Sequence, residues 1–432
     1  MAIELRNRLE RTLQVTLPVV NFLQGLSLAD LTTQLLAHLA DSQGAPAAIT
    51  VRPQVAHEPG HPAPLSYGQQ AMWLLHQLLP QDITLNVAGA VRLTGELDVT
   101  ALRQALQQLV ERHSALRTTF GMRDGRPVQR IHAQMPAPWR EIDATAWAEA
   151  SLLRYLQREA YRPFDLAQGP LLRLVLLRRG EQEYVLLLSV NHIVTDFWSM
   201  ALIVRELLVL YQAHVAGQIE AVREPPLPPL SLQYVDYVYW QRTMLAGPEG
   251  ERLRHYWLAQ FSGELPLLDL PTDRPRPRQQ TFHGDSASRF LSAGLARSLR
   301  ALSQTQGTTL ATTLLAAFQA LLHRYTGQEE LLVGSVVAGR DRPELANLVG
   351  YFINPVALRA HFDQRTTFAQ LLQQVKQTVL GAYEHQEYPL PLLAEQLQSD
   401  PRLAGLQITQ FVIEDGWLGL ALGPKRTAAL AR

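Results

Sequence analysis

Met1, Leu5, Leu9 and Leu13 recur at every fourth position, and Glu4, Arg6, Arg8, Glu10 and Arg11 fill the positions between them. Apolar residues at that spacing share one helix face, so residues 1 to about 15 read as an amphipathic helix. A second short helix is expected from about Leu28 to Ala40, with Ser27 as its N-cap. Helices this short need partners, and the pair looks like part of a small bundle. Residues 44–64 are rich in Pro, Gly and Ala and read as a linker. A dense alternation of elements follows. Val91–Leu93 is strand-like, residues 99–112 form a helix, and Leu172–Leu177 and Tyr184–Val190 are continuous apolar strands. A long helix is expected from about Phe197 to Ala216. The breaker runs Glu224-Pro-Pro-Leu-Pro-Pro229 and Leu270-Pro-Thr-Asp-Arg-Pro-Arg-Pro277 interrupt the large region. Helices at 293–305, 309–324 and 367–384 and a strand at Leu331–Val337 complete a mixed α/β pattern in two lobes. Ile408–Ile413 is a last strand-like run.

Composition narrows the function. At 432 residues the chain has room for two or three domains, and 47% hydrophobic against 18% charged residues is globular composition. Lys plus Arg and Asp plus Glu number 39 each, so the bulk charge draws neither nucleic acid nor an anionic membrane. The absence of cysteine removes disulfides, a cysteine nucleophile and cysteine-ligated zinc. No metal site is expected. The charged start is no signal peptide and no apolar run has the length of a membrane span, so a soluble cytoplasmic protein is expected.

Two histidine patterns invite a chemical reading. His57-Glu58-Pro59-Gly60-His61 matches a zinc-protease spacing, but that chemistry needs both histidines on one helix face, and Pro59 and Gly60 break the helix. The linker reading wins. Val190-Asn-His-Ile-Val-Thr-Asp-Phe-Trp-Ser199 is different: it lies where a buried strand passes into a helix. A rigid scaffold there can hold a side chain facing a cleft. His192 at that junction can exchange a proton near neutrality. Taken alone, a histidine near a strand end is more often structural than catalytic.

Its company changes the weighting. The segment resembles the His-His-x-x-x-Asp-Gly motif of condensation domains of nonribosomal peptide synthetases. Other segments match that family in the same order: Leu65-Ser-Tyr-Gly-Gln-Gln-Ala-Met-Trp73, Arg112-His-Ser-Ala-Leu-Arg-Thr-Thr-Phe120 and Tyr234-Val-Asp-Tyr-Val-Tyr-Trp-Gln-Arg242. Leu270–Pro277, Ala338-Gly-Arg-Asp-Arg-Pro-Glu-Leu345, Val349-Gly-Tyr-Phe-Ile-Asn-Pro355 and His385-Gln-Glu-Tyr-Pro389 continue the series. The resemblance covers about 64–400. It implies an α/β, two-lobed fold like chloramphenicol acetyltransferase, with a tunnel between lobes. The N-lobe is expected at 65–225, and the C-lobe, truncated, at 226–432.

The resemblance also implies a reaction. An acyl or peptidyl thioester on an upstream carrier domain meets an aminoacyl amine on a downstream carrier domain, and an amide forms. Both substrates hang on phosphopantetheine arms of those partners, an adenylation domain belongs to the same assembly line, and the domain holds no cofactor itself. Such assembly lines make antibiotics and other secondary metabolites. Mapped by position, His192 is the catalytic histidine, as general base or as stabiliser of the tetrahedral intermediate. Asp196 is the motif aspartate, paired with Arg340 for architecture. Asn191 stands where the family has its first histidine and Phe197 where it has glycine. Phe197, Trp198, Ser199 and Asn354 are assigned to the substrate tunnel.

Residues 1–43 resemble the last part of an acyl carrier protein of the polyketide type, which implies a polyketide–peptide hybrid. The phosphopantetheine serine of that family would fall before residue 1, and Ser27 is read as a cap, not an attachment site. Beyond the His385 motif the family pattern stops, which suggests a fragment. A catalytically inactive carrier-binding module, suggested by Asn191 and Phe197, is the alternative. Within the enzyme reading an ester-forming relative stays open.

Overall fold

The computed structural model describes residues 60–78, 85–217, 225–263, 265–275 and 289–398, together with Leu9, Ala29, Thr32, Thr33, Leu36 and Val51. Most of the expected helices at 1–15 and 28–40, Ser27, most of the 44–64 linker and the run at Ile408–Ile413 lie outside the described residues. The chain separates into two compact units. The first holds the described residues between 49 and 244 and takes back the short segment Glu344–Phe352. The second holds Leu245–Pro343 and the described residues from 353 to 398.

The first unit is built on a four-stranded sheet. Its strands are β2 (Asn86–Thr94), β5 (Trp139–Asp143), β6 (Leu172–Arg178) and β7 (Glu183–Asn191), in the order β2-β7-β6-β5. β5 runs parallel to β6 and the other pairs are antiparallel. β6 reads as an unbroken apolar run because both of its faces are covered. Val175 and Leu177 pack with Val185 and Leu187 of β7 beneath Leu152 and Leu156 of helix α3 (Glu149–Ala160). Leu172, Leu174 and Leu176 are buried on the opposite face. Arg173 interrupts the run and is itself buried. Its guanidinium donates to the carbonyls of Glu159, Arg162 and Pro163 at 2.9, 3.1 and 3.3 Å and lies 4.0 Å over the Phe164 ring. Burial pulls its pKa down to about 10.

A three-stranded antiparallel sheet, β1 (Pro62–Pro64), β4 (Arg126–Ile131) and β3 (Thr118–Arg123), lies beside helix α1 (Tyr67–Leu78) in the chain. Helix α2 (Val99–Arg112) starts where the Asp98 carboxylate accepts the Ala101 amide at 2.9 Å. It buries Leu102, Leu106 and Leu109 and packs on the long helix α4 (Phe197–Val215). Helix α5 (Tyr234–Leu245) is buried nearly all round.

The second unit carries the antiparallel pair β8 (Glu330–Val337) and β9 (Asn354–His361) with helices α6 (Pro248–Gln260), α7 (Ala293–Thr305), α8 (Leu310–Thr326), α9 (Phe368–Glu384) and α10 (Leu390–Gln398). Each of α7, α8 and α9 begins with a hydroxyl cap, from Ser292, Thr309 and Thr367, and the last is a full capping box with Gln370. No described helix is long and apolar enough to cross a membrane.

Candidate active site

The candidate site is assembled in the first unit where β7 ends. Asn191 is the last residue of β7, paired with Asn86 of β2. It is buried, and its Oδ1 accepts the Ile193 amide at 3.0 Å. That bond bends the chain into a single 3₁₀ turn, His192–Val194. The His192 amide donates to the Leu85 carbonyl at 2.7 Å, and the Thr195 amide closes the turn on the His192 carbonyl. The next residue, Asp196, caps α4: its Oδ1 accepts the Ser199 amide at 2.6 Å.

These local bonds fix the state of the His192 ring. Nδ1 lies 2.6 Å from the Thr195 carbonyl oxygen. A carbonyl only accepts, so Nδ1 carries the proton in the neutral ring, and the lone pair sits on Nε2. The side chain is half-buried, held at its base and partly open to solvent.

The returning segment Glu344–Phe352 packs on the same corner. Asp196 Oδ2 accepts the Phe352 amide at 3.1 Å. The Ser199 hydroxyl donates to the Gly350 carbonyl at 2.8 Å and accepts the Gly350 amide at 3.1 Å. Trp198 Nε1 donates to the Ala346 carbonyl at 2.9 Å. The Tyr234 phenol donates to the Tyr351 carbonyl at 2.6 Å and meets the Ser66 hydroxyl at 2.9 Å. Gln69 of α1 donates to the Ile193 carbonyl at 3.1 Å. The Tyr351 ring stands edge-on to the imidazole, with centroids 5.2 Å apart and planes at 79°. Burial pushes the Tyr234 and Tyr351 phenols well up, so both stay neutral.

The residues singled out in the sequence thus occupy distinct settings. His192, Asn191, Asp196, Phe197, Trp198 and Ser199 share one corner of the first unit. Phe197 is the first residue of α4 and its side chain is 44% exposed. Ser199, assigned to a substrate tunnel, is fully buried and spends its hydroxyl on Gly350. Arg340 and Asn354 belong to the second unit. Arg340 follows β8 and is fully buried. Asn354 opens β9: its amide donates to the carbonyls of Gln386 and Tyr388 at 2.9 and 2.7 Å, and its Oδ1 accepts the Leu390 amide at 3.0 Å. That clamps the turn containing His385. His385 Nδ1 donates to the Gly381 carbonyl, Nε2 accepts from Arg252, and the ring stacks on Tyr256 at 3.7 Å. Burial, aided by Arg252, lowers the His385 pKa. The sequence reading did not single out Tyr351, Tyr234, Ser66 or Gln69 for a role at the site, although each lies inside a motif. No group of three metal-ligating side chains occurs among the described residues.

Residues 61–415 match the family described as Condensation domain. The chain belongs to the condensation-domain family. A linear gramicidin synthase from Brevibacillus parabrevis is 41% identical over 421 residues, which are 96% of this chain and 5% of the synthase. The domain therefore spans a small part of the length of the synthase it resembles. Among solved structures, the X-domain from teicoplanin biosynthesis superposes with a TM-score of 0.73 at 28% identity, over 82% of this chain and 76% of that one. The first condensation domain of the calcium-dependent antibiotic synthetase, solved with a substrate analogue, gives 0.65 at 24% identity, over 82% and 80%. The fold is thus the two-lobed α/β fold of condensation domains, of the chloramphenicol-acetyltransferase type expected from the motif series.

Proposed function

We propose that this condensation domain forms an amide between an acyl or peptidyl thioester and an aminoacyl amine, each tethered to a carrier domain through phosphopantetheine. The observation that carries the reading is the His192 ring, with Nδ1 tied to the Thr195 carbonyl and Nε2 left as the basic atom at the end of a rigid strand.

The chemistry balances on that atom. The acceptor amine attacks the thioester carbonyl carbon, and a C–N bond forms. Nε2 takes the proton that the nitrogen sheds. The tetrahedral intermediate collapses, the C–S bond breaks, and the imidazolium returns its proton to the departing thiolate. His192 is thereby restored. Asp196 does not take part in proton transfer in this scheme. Both of its oxygens receive backbone amides, and its task is to set the loop that carries His192.

The domain itself contributes no cofactor in this reading. The thioester sulfur comes from the carrier arms, in keeping with a chain that has no cysteine. Upstream and downstream carrier domains and the adenylation domain of the same line are its partners, in a cytoplasmic setting. A polyketide–peptide hybrid line is the source we infer from the carrier-like residues 1–43. A second reading, a carrier-binding module without turnover, is favoured by Asn191: its side chain is buried and occupied by Ile193, and it offers no proton chemistry.

Mass analysis of products separates the two. A pantetheine-linked acyl donor and an aminoacyl carrier acceptor give an amide with the intact domain and none with His192→Ala. Carrier binding without amide in the intact, folded domain supports the second reading.

A further inference from the structure

We propose that Tyr351 is a positioning residue for His192, its ring fixing the plane of the imidazole so that Nε2 keeps one direction. The inference deepens the assignment of His192 as proton acceptor and rests on it.

The Thr195 carbonyl selects the tautomer, but one hydrogen bond at Nδ1 leaves the ring free to swing about its bonds. An edge-to-face neighbour at 5.2 Å and 79° removes that freedom. A wedge works only if it cannot itself retreat, and Tyr351 cannot. On its far side stands Gly68 of α1, so close that an added Cβ would lie 2.5 Å from Tyr351 Cε1 and 2.8 Å from Cδ1. Its backbone is pinned at three successive residues. Ser199 holds Gly350, Tyr234 holds the Tyr351 carbonyl, and Asp196 holds the Phe352 amide. An added Cβ on Gly350 would lie 1.9 Å from Tyr234, so the strip has no slack there either. Two of the three holds come from the start of α4, the element that also ends the His192 loop. Imidazole and wedge are therefore mounted on the same helix N-terminus.

The bland alternative is an aromatic residue that merely fills the core. The two differ in what happens to the His192 ring. In the intact domain, ¹³C relaxation at His192 Cε1 and Cδ2 should report an ordered ring, and ¹⁵N shifts at a pH where it is neutral should report the Nδ1–H tautomer. Tyr351→Phe keeps the wedge and should keep both signatures. Tyr351→Ala should lower the ring order and let the Nε2–H tautomer appear. Gly68→Ala, which touches neither His192 nor its loop, should disturb the ring in the Tyr351 background and have no such effect in a Tyr351→Ala background. With a pantetheine acyl donor and an aminoacyl carrier, turnover should fall roughly 10- to 100-fold in Tyr351→Ala with KM little changed, since a small misplacement of a reacting group costs that much. Restoration by Phe completes the pattern. An unchanged ring order and tautomer in a folded Tyr351→Ala domain would overturn the proposal, whatever happens to turnover. Full turnover in His192→Ala would overturn the catalytic reading instead, and leaves the ring measurement standing.

Discussion

His113 Nε2 lies 2.7 Å from Glu206 Oε2, and both side chains are almost sealed from solvent, at 1% and 2% exposure. Arg112 adds a second donor to the same oxygen at 3.0 Å. The contact joins the end of α2 to the middle of α4, the helix that starts beside His192. Burial works to raise the Glu206 pKa, but His113 and Arg112 outweigh it and hold the carboxyl below its ordinary value.

The sign of the pH effect follows. A carboxylate with a depressed folded pKa stabilises the native state above its ordinary value near 4.5, and that contribution disappears as pH falls through the folded value. Urea unfolding at pH 7 and pH 3.5 should show this loss, and Glu206→Gln should flatten that part of the slope. Glu206→Ala should cost about 3–5 kcal/mol at pH 7, because it strands a buried Arg–His pair.

Asp196→Ala removes a helix cap and leaves the buried Phe352 amide without its acceptor. A loss of about 2–4 kcal/mol is expected from those two terms together. Asp196→Asn keeps one acceptor oxygen and should lose less. Denaturation midpoints with an unchanged m-value check this.

Two glycines with ordinary backbone angles make a matched test of packing. Gly350→Ala drives a methyl into the Tyr234 ring, and about 1–3 kcal/mol or more should be lost. Gly89→Ala, in β2, meets nothing within 4 Å and should be close to neutral. Thermal melts of the two variants should separate clearly.

In the second unit His385 is a buried neutral donor–acceptor between Gly381 and Arg252. Its folded pKa is lowered, chiefly by burial. Unfolded chains then bind the proton more readily, so stability present above about 6.5, the ordinary histidine value, falls as pH drops below it. His385→Gln should remove that slope between pH 7.5 and 5.5 in urea titrations.

Much of the fold was legible along the chain for identifiable reasons. α2 showed itself through Asp98 as cap and apolar residues on one face, and observed and expected bounds agree. β6 and β7 showed as apolar runs because both faces of β6 are covered. α5 was read only as a motif: it is buried all round, so its pattern carries no period. The β3–β4 hairpin was missed although Asp124-Gly125 announces it, both residues having positive φ, at 50° and 74°. At the site, His192 and Asp196 were legible because one short loop holds them. The Tyr351 wedge was not, since it arrives on a segment of the second half of the chain that folds back into the first unit. No local pattern announces such a return.

The central claim is that His192 Nε2 carries the proton transfer of amide formation. The most direct measurement is single-turnover product mass from a pantetheine acyl donor and an aminoacyl carrier, for the intact domain beside His192→Ala and His192→Gln. The account predicts an amide from the intact domain and at least a roughly 100-fold slower appearance in both variants, the scale of a lost general base. Equal amide yields and rates in all three would contradict it.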